Sequence, residues 1–408
     1  MAQRREPSRS RRQPSADAMV DQPSQALNAA ARMWQAGRQS DATAMFDATM
    51  RQEANNVQAY IVPARAYGQR YQFERMEQTL DALVRRAPGD PGVHHYVAET
   101  YGALRLPLRA TRCYEIAAAL PGAGPPTWME LASLYERGHR LDEAEQLIER
   151  AVASGYDLPL VWLVRGRIAR RQMRLADAES SFRTVIERAG ARASWSCEAW
   201  GELALMKDAQ GDYDGAADAI EQCKRLQRSH RAAHQTVSEA GAKFFREFVE
   251  SLSKDDFRRW RDEAVDLPPH RTGLLTGFPR SGTTLLEQVL DAHPELVSSE
   301  ERDFLGNELL RTISQSRPTT PLRELLNGLS ADQIRAERQR YLRSMEYLLG
   351  EPIGSRLHLD KNPAYNLVIP LLLRVFPEAR LIIALRDPRD VVLSCYLRYL
   401  PLNAVSVW

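Results

Sequence analysis

The chain has 408 residues, enough for two or three domains at about 150 residues each. Its 44% hydrophobic and 26% charged residues, with only 22 Gly and 23 Pro, exclude a collagen-like, mucin-like or wholly disordered polymer. A net charge of +2 gives no global field that would point to nucleic acid. The basic residues are lopsided: Lys207, Lys224, Lys243, Lys254 and Lys361 are the only lysines, so each one stands out against the arginines. Cys113, Cys197, Cys223 and Cys395 form no C-x-x-C pair, so the expectation is reduced thiols in a cytoplasmic protein without a zinc knuckle. The longest apolar run, Leu367–Leu373, is seven residues against the ~20 needed to span a bilayer, so no membrane anchor is expected.

Residues 1–22 mix Arg4, Arg5, Arg9, Arg11 and Arg12 with Ser, Gln and Pro, and read as a disordered basic tail. A repeat follows. Ala42, Met76, Ala110, Ala144 and Ala178 stand 34 residues apart, with Ala216 a further 38 on. Four residues after each comes a bulky side chain: Phe46, Leu80, Tyr114, Ile148, Phe182 and Ile220. Tyr60, His94, Trp128, Trp162 and Trp200 precede the later members by 16, and Gly37 and Gly211 mark turns. This small-then-large alternation at a 34-residue period is that of tetratricopeptide repeats, about six of them over residues 23–226. Such solenoids expose a concave face suited to peptides. Residues 227–270 read as a helical linker carrying Phe244, Phe248, Phe257 and Trp260. His230 and His234 sit one helical turn apart but lack a third ligand, so a solvated helix face is expected there and no metal.

Beyond residue 270 the pattern changes. Gly273–Phe278 reads as a buried strand, followed by a Gly/Ser/Thr loop and a helix from Thr284 to Ala292. Ser330 and Gln333 form a capping box opening a helix to about Leu349. Leu367–Arg374 reads as helix despite Pro370, Arg380–Arg386 as a second buried strand, and Arg389–Arg398 as a helix. The fold class is therefore α plus α/β: an all-α solenoid, then a P-loop-like domain with a parallel sheet over residues 271–408.

Gly277-Phe278-Pro279-Arg280-Ser281-Gly282-Thr283-Thr284 has P-loop spacing, but Thr283 replaces the lysine that should follow the second glycine. The loop amides still suit an anion at a helix N-terminus, and the cation has moved to Arg280, whose guanidinium can fork around a phosphate or sulfate. This run, followed by Leu290-Asp291-Ala292-His293-Pro294 and Glu300-Glu301, resembles the 5′-phosphosulfate loop of sulfotransferases. It is most similar to the tyrosylprotein sulfotransferases and their bacterial relatives. Leu385-Arg386-Asp387-Pro388-Arg389-Asp390 with Ser394 resembles that family's 3′-phosphate site, and Asp360-Lys361-Asn362-Pro363 its catalytic-lysine segment.

The resemblance implies the donor 3′-phosphoadenylyl sulfate (PAPS) and no metal. By position, Arg280, Ser281, Gly282, Thr283 and Thr284 would hold the 5′-phosphosulfate, and Arg386, Ser394 and, more weakly, Arg398 the 3′-phosphate. Glu301 (or its neighbour Glu300) would be the general base, and Lys361 would stabilise the bridging oxygen as sulfate leaves. Family catalytic domains run longer, so the domain is expected to be incomplete at its C-terminus. The repeats would take no part in the chemistry and would present an acceptor, with a polypeptide as the candidate and protein tyrosine one possible hydroxyl. The rivals are a P-loop nucleotide kinase or NTPase, and a non-enzymatic repeat scaffold carrying a truncated domain.

Overall fold

A computed structural model of the chain describes residues 21–189, 193–315 and 317–401. Most of the expected basic tail, the side chain of His230 and the final residues 402–408 lie outside the described residues. Two compact units divide between Gly122 and Ala123.

The first unit contains three helical hairpins: α1 (Gln25–Gln35) with α2 (Gln39–Gln52), α3 (Gln58–Gln69) with α4 (Phe73–Arg86), and α5 (Pro91–Ala103) with α6 (Pro107–Ala119). The second opens with three more: α7 (Pro125–Arg137) with α8 (Leu141–Ala153), α9 (Pro159–Arg171) with α10 (Leu175–Ala189), and α11 (Ala193–Ala209) with α12 (Tyr213–Ser251). The turn inside every hairpin passes through one left-handed residue: Gly37, Tyr71, Arg105, His139, Met173 and Gly211. The amide of the next residue reaches back five positions in each case, from Arg38 to Met33, Gln72 to Tyr67, Leu106 to Tyr101, Arg140 to Tyr135, Arg174 to Ala169 and Asp212 to Lys207. That is the Schellman bond, which ends one helix and reverses the chain. Four of the six turns spend a non-glycine residue on it, at a cost of about 1–2 kcal/mol each. The periodic alanines and their bulky partners fill the hairpin interiors: Ala42, Ala110, Ala144 and Ala178 are fully buried with Phe46, Tyr114, Ile148 and Phe182. At Gly166 a Cβ would come within 2.5 Å of the Phe182 ring, so that helix approach requires glycine.

The boundary expected at residue 227 falls inside a helix. α12 is one uninterrupted helix of 39 residues, because residues 216–240 contain neither Gly nor Pro to stop it. After it, α13 (Lys254–Glu263) begins at a capping box made by Ser253 and Asp256. Trp260 donates to Asn327 at 2.7 Å and Arg323 pairs with Asp256 at 3.0 Å, which ties α13 to the α/β part of this unit.

That part is a four-stranded parallel sheet ordered β2-β3-β1-β4, with β1 Thr272–Gly277, β2 Leu296–Glu300, β3 Leu357–Lys361 and β4 Arg380–Ala384. Helix α14 (Thr283–Asp291) follows β1. α15 (Leu310–Gln315), α16 (Leu322–Asn327) and α17 (Ala331–Leu349) lie between β2 and β3, and α18 (Ile369–Val375) and α19 (Pro388–Tyr396) flank β4. Pro370 is accommodated in the first turn of α18, where its missing N–H has no helical acceptor.

Two expectations need correction. β4 is not buried among the described residues: Leu381, Ile382 and Ile383 are 38%, 39% and 50% exposed, and β4 is the last described strand on the β1 side of the sheet. The last helix ends at Tyr396, so Arg398 follows the helix instead of occupying its next turn.

Candidate active site

All the expected residues before Arg398 gather at the C-terminal edge of the sheet, where a parallel α/β sheet presents its strand ends to ligands. β1 ends at Gly277, whose carbonyl accepts from the Asn366 amide; Asn366 in turn accepts from Thr276 at 3.1 Å. A Cβ on Gly277 would lie 2.7 Å from the Ala384 carbonyl, so glycine is required where β1 meets β4. The loop then turns through Arg280 (φ 73°) and Gly282 (φ 96°) before α14 starts at Thr283. Thr283 is buried, while Arg280, Gly282 and Thr284 are exposed. Ser281 Oγ is buried without a hydrogen-bond partner among the described residues.

The distant motif blocks meet here. Arg280 Nε donates to Ser394 Oγ at 3.1 Å, and Arg386 donates to the Arg280 carbonyl at 3.3 Å. Residues 106 and 114 positions apart thus form one exposed cationic corner. The Arg398 backbone carbonyl accepts from Lys224 Nζ at 2.9 Å.

The second cluster lies across β2 and β3. The strand register sets Glu300 beside Lys361, and the Glu301 amide donates to the Lys361 carbonyl at 2.7 Å. It is Glu301, rather than Glu300, whose carboxylate lies 3.1 Å from Lys361 Nζ. Glu301 is held at φ 40°, and with Arg280 it is one of two left-handed non-glycine residues outside the repeat turns among the described residues. Backbone strain of this kind collects at functional sites.

Glu287 was not singled out from the sequence. It sits on α14 one turn after Thr283, on the helix's buried face, and its carboxylate, like that of Glu301, lies 3.1 Å from Lys361 Nζ. Glu287 is 4% exposed and Lys361 2%. Ser298 Oγ donates to Glu287 at 2.5 Å. Burial pushes the Glu287 carboxyl up, against the pull of Ser298 and Lys361. Burial alone would lower the Lys361 ammonium, but the two carboxylates outweigh it and hold it above its ordinary value. The lone acidic residue in Leu285-Leu286-Glu287 was the available signal: a carboxylate on an apolar helix face needs a partner.

The two-residue alternation of β3 sends Asp360 and His358 to the other face, towards α17. His358 bonds Ser299 at 2.9 Å, and burial drives its imidazole down to about 3, so it is a neutral core residue. Asp360 accepts from the Tyr341 hydroxyl at 2.7 Å, and its other oxygen has no partner among the described residues. Burial pushes its carboxyl up to about 7 from an ordinary 3.8. The folded chain therefore keeps a proton that the unfolded chain loses, so this group's contribution to stability falls as pH rises above 3.8 and levels off above about 7. Asp360→Asn, isosteric with the neutral acid, should remove that slope and stabilise the protein at pH 8 by on the order of a few kcal/mol. Urea midpoints at pH 5 and pH 8 read the difference; an unchanged slope in the variant would place the titrating group elsewhere.

Residues 274–406 match the Sulfotransferase family. Protein-tyrosine sulfotransferase 1 of Danio rerio is 31% identical over 125 residues, which is 30% of this chain and 35% of that protein. Protein-tyrosine sulfotransferase 2 of Gallus gallus is 32% identical over 125 residues, covering 30% and 33%. Nodulation protein NoeE of Sinorhizobium fredii is 31% identical over 130 residues, covering 29% and 30%. The match thus spans about a third of the length of these relatives. Among solved structures, the pilus biogenesis factor PilW aligns with 51% of this chain and 96% of its own at 18% identity and a TM-score of 0.40. The repeat assignment rests instead on the 34-residue period and its six identical turns. The chain thus joins helical hairpins of 34-residue period to a region, residues 274–406, that matches the Sulfotransferase family. No described helix is long and apolar enough to cross a membrane.

Proposed function

We propose that this chain transfers the sulfuryl group of PAPS to a hydroxyl acceptor, and that the acceptor is a polypeptide tyrosine. The observation that carries this reading is the buried Lys361 ammonium braced between Glu287 and Glu301, at the strand ends beside the Arg280 loop. Arg280 and Arg386 supply two positive charges to the donor's phosphates without a metal, and the orphaned Ser281 Oγ supplies an unused polar group in the same loop. Tyrosine hydroxyl has a pKa near 10, so a carboxylate must take its proton as the oxygen–sulfur bond forms. Glu301, with its side chain 42% exposed, is reachable by an incoming hydroxyl, whereas Glu287 is closed off. As the sulfur–oxygen bond to the phosphate breaks, charge grows on the bridging oxygen, and Lys361 is the cation for it. Glu287 keeps that ammonium charged and aimed. The names of the tyrosine sulfotransferase relatives support tyrosine as the acceptor, and the peptide-sized faces of tetratricopeptide hairpins support a polypeptide.

Calorimetry separates this reading from a kinase. Adenosine 3′,5′-bisphosphate should bind without metal and better than ATP with Mg²⁺; the reverse order would overturn the assignment. Sulfate transfer from PAPS to a tyrosine peptide, against the matching phenylalanine peptide, tests the acceptor. Arg386→Ala should weaken adenosine 3′,5′-bisphosphate by on the order of tenfold or more while leaving adenosine 5′-phosphate within about twofold. Equal losses would mean that Arg386 does not meet the 3′-phosphate.

A further inference from the structure

We propose that the last repeat hairpin is a working part of the donor site: α11 and α12 hold the end of α19 through a latch and so position Ser394 and Arg386. This inference rests on the sulfotransferase reading above. Lys224 Nζ, on α12, donates to the Cys395 carbonyl at 3.2 Å and to the Arg398 carbonyl at 2.9 Å. One helical turn along, Gln227 donates to the Leu400 carbonyl at 2.7 Å. Between those contacts the Tyr399 side chain enters the hydrophobic core of the hairpins, packing with the cluster that includes Phe182, Leu203 and Ile220. Gly201 on α11 makes room for it, since a Cβ there would stand 2.4 Å from Tyr399 Cβ.

Three features give the latch a purpose beyond packing. The last carbonyls of a helix have no helical partner and carry the negative end of its dipole, so a cation there both satisfies and orders them. Lys224 directs its charge to one of them, the Cys395 carbonyl, and to the Arg398 carbonyl just beyond the helix, and among the described residues it pairs with no carboxylate. Second, α19 is weakly held elsewhere. Val391 is its one buried residue, while Val392, Leu393 and Tyr396 are exposed. Third, its other tether is Ser394 to Arg280, inside the candidate donor site itself. The latch grips Cys395, the residue next to Ser394 in the last turn of α19, so the loop and the latch together set that ligand-facing end of the helix. The proposed latch departs, for the final hairpin, from the expectation that the repeats take no part in the chemistry.

Two variants test this in the full chain. Lys224→Met removes the cation, with Lys224→Arg as the conservative rescue. Gly201→Ala improves helix propensity in α11 but forces Tyr399 out. Amide hydrogen exchange over residues 388–400, without ligand, should quicken in Lys224→Met and Gly201→Ala and be largely restored in Lys224→Arg. Affinity for adenosine 3′,5′-bisphosphate should fall on the order of tenfold in the first two variants, with adenosine 5′-phosphate little changed. Thermal unfolding monitors whether the hairpins survive. Unchanged exchange would overturn the latch, and faster exchange with unchanged bisphosphate affinity would overturn its role at the donor site. If wild-type protein failed to prefer the bisphosphate over the monophosphate, the donor reading itself would fall, while exchange would still report on the latch.

Discussion

Arg280→Ala should abolish measurable binding of adenosine 3′,5′-bisphosphate. The side chain supplies the loop's cation from within the loop, since the position after the second glycine, where a P-loop kinase carries lysine, is Thr283. It also holds Ser394 at 3.1 Å, and its carbonyl holds Arg386, so the loop and α19 meet through this one residue. A lost hydrogen bond to a charged group is worth roughly 2–3 kcal/mol, or on the order of 30- to 150-fold in affinity. Removing the connection to Ser394 adds to that by loosening the 3′-phosphate side. Lysine at this position should recover part of the charge but not the fork that meets two oxygens at once. Calorimetry on wild type and variant measures the effect; wild-type affinity in Arg280→Ala would remove the loop from the donor site.

Glu301→Gln should lower turnover by ~10²-fold or more while donor affinity stays nearly constant. Glutamine keeps the size and an oxygen for Lys361 but cannot take the acceptor's proton. Glu287 remains to hold the ammonium, so the fold and the donor side should survive. Glu300→Gln is the control: its carboxylate is not the one beside Lys361, and turnover should change by no more than about threefold. Measuring kcat and KM for a tyrosine peptide at saturating PAPS distinguishes the two. A loss in KM alone for Glu301→Gln would make Glu301 an acceptor-binding residue and not the base.

The parts of this protein legible from its sequence are those whose physics is local. The 34-residue period survives because each hairpin repeats the same helix–turn–helix problem, with a small residue at Ala110 or Ala144 and a large one four positions on. Gly37 and Gly211 mark their turns openly, whereas Tyr71, Arg105, His139 and Met173 adopt the same left-handed shape only because the Schellman bond imposes it. The Arg280 loop is readable for a similar reason, since strand, turn and helix are contiguous and the anion site is made largely of backbone.

Tertiary structure decided the rest. Glu287 meets Lys361 across 74 residues only because β3 pairs with β1 in one register and packs beneath α14. A slip of one residue would turn Lys361 to the Asp360 face and separate the two. β4 has the apolar composition of a buried strand, yet Leu381, Ile382 and Ile383 are exposed among the described residues, which only the tertiary structure shows. Lys224 stands out in the sequence as one of five lysines, but nothing near it in the chain says what it meets. Its contact with Arg398, 174 residues away, exists because the chain passes through a whole α/β sheet and returns to the hairpin it left. No local pattern encodes such a closure, since its free energy is shared among every contact that brings the two ends together.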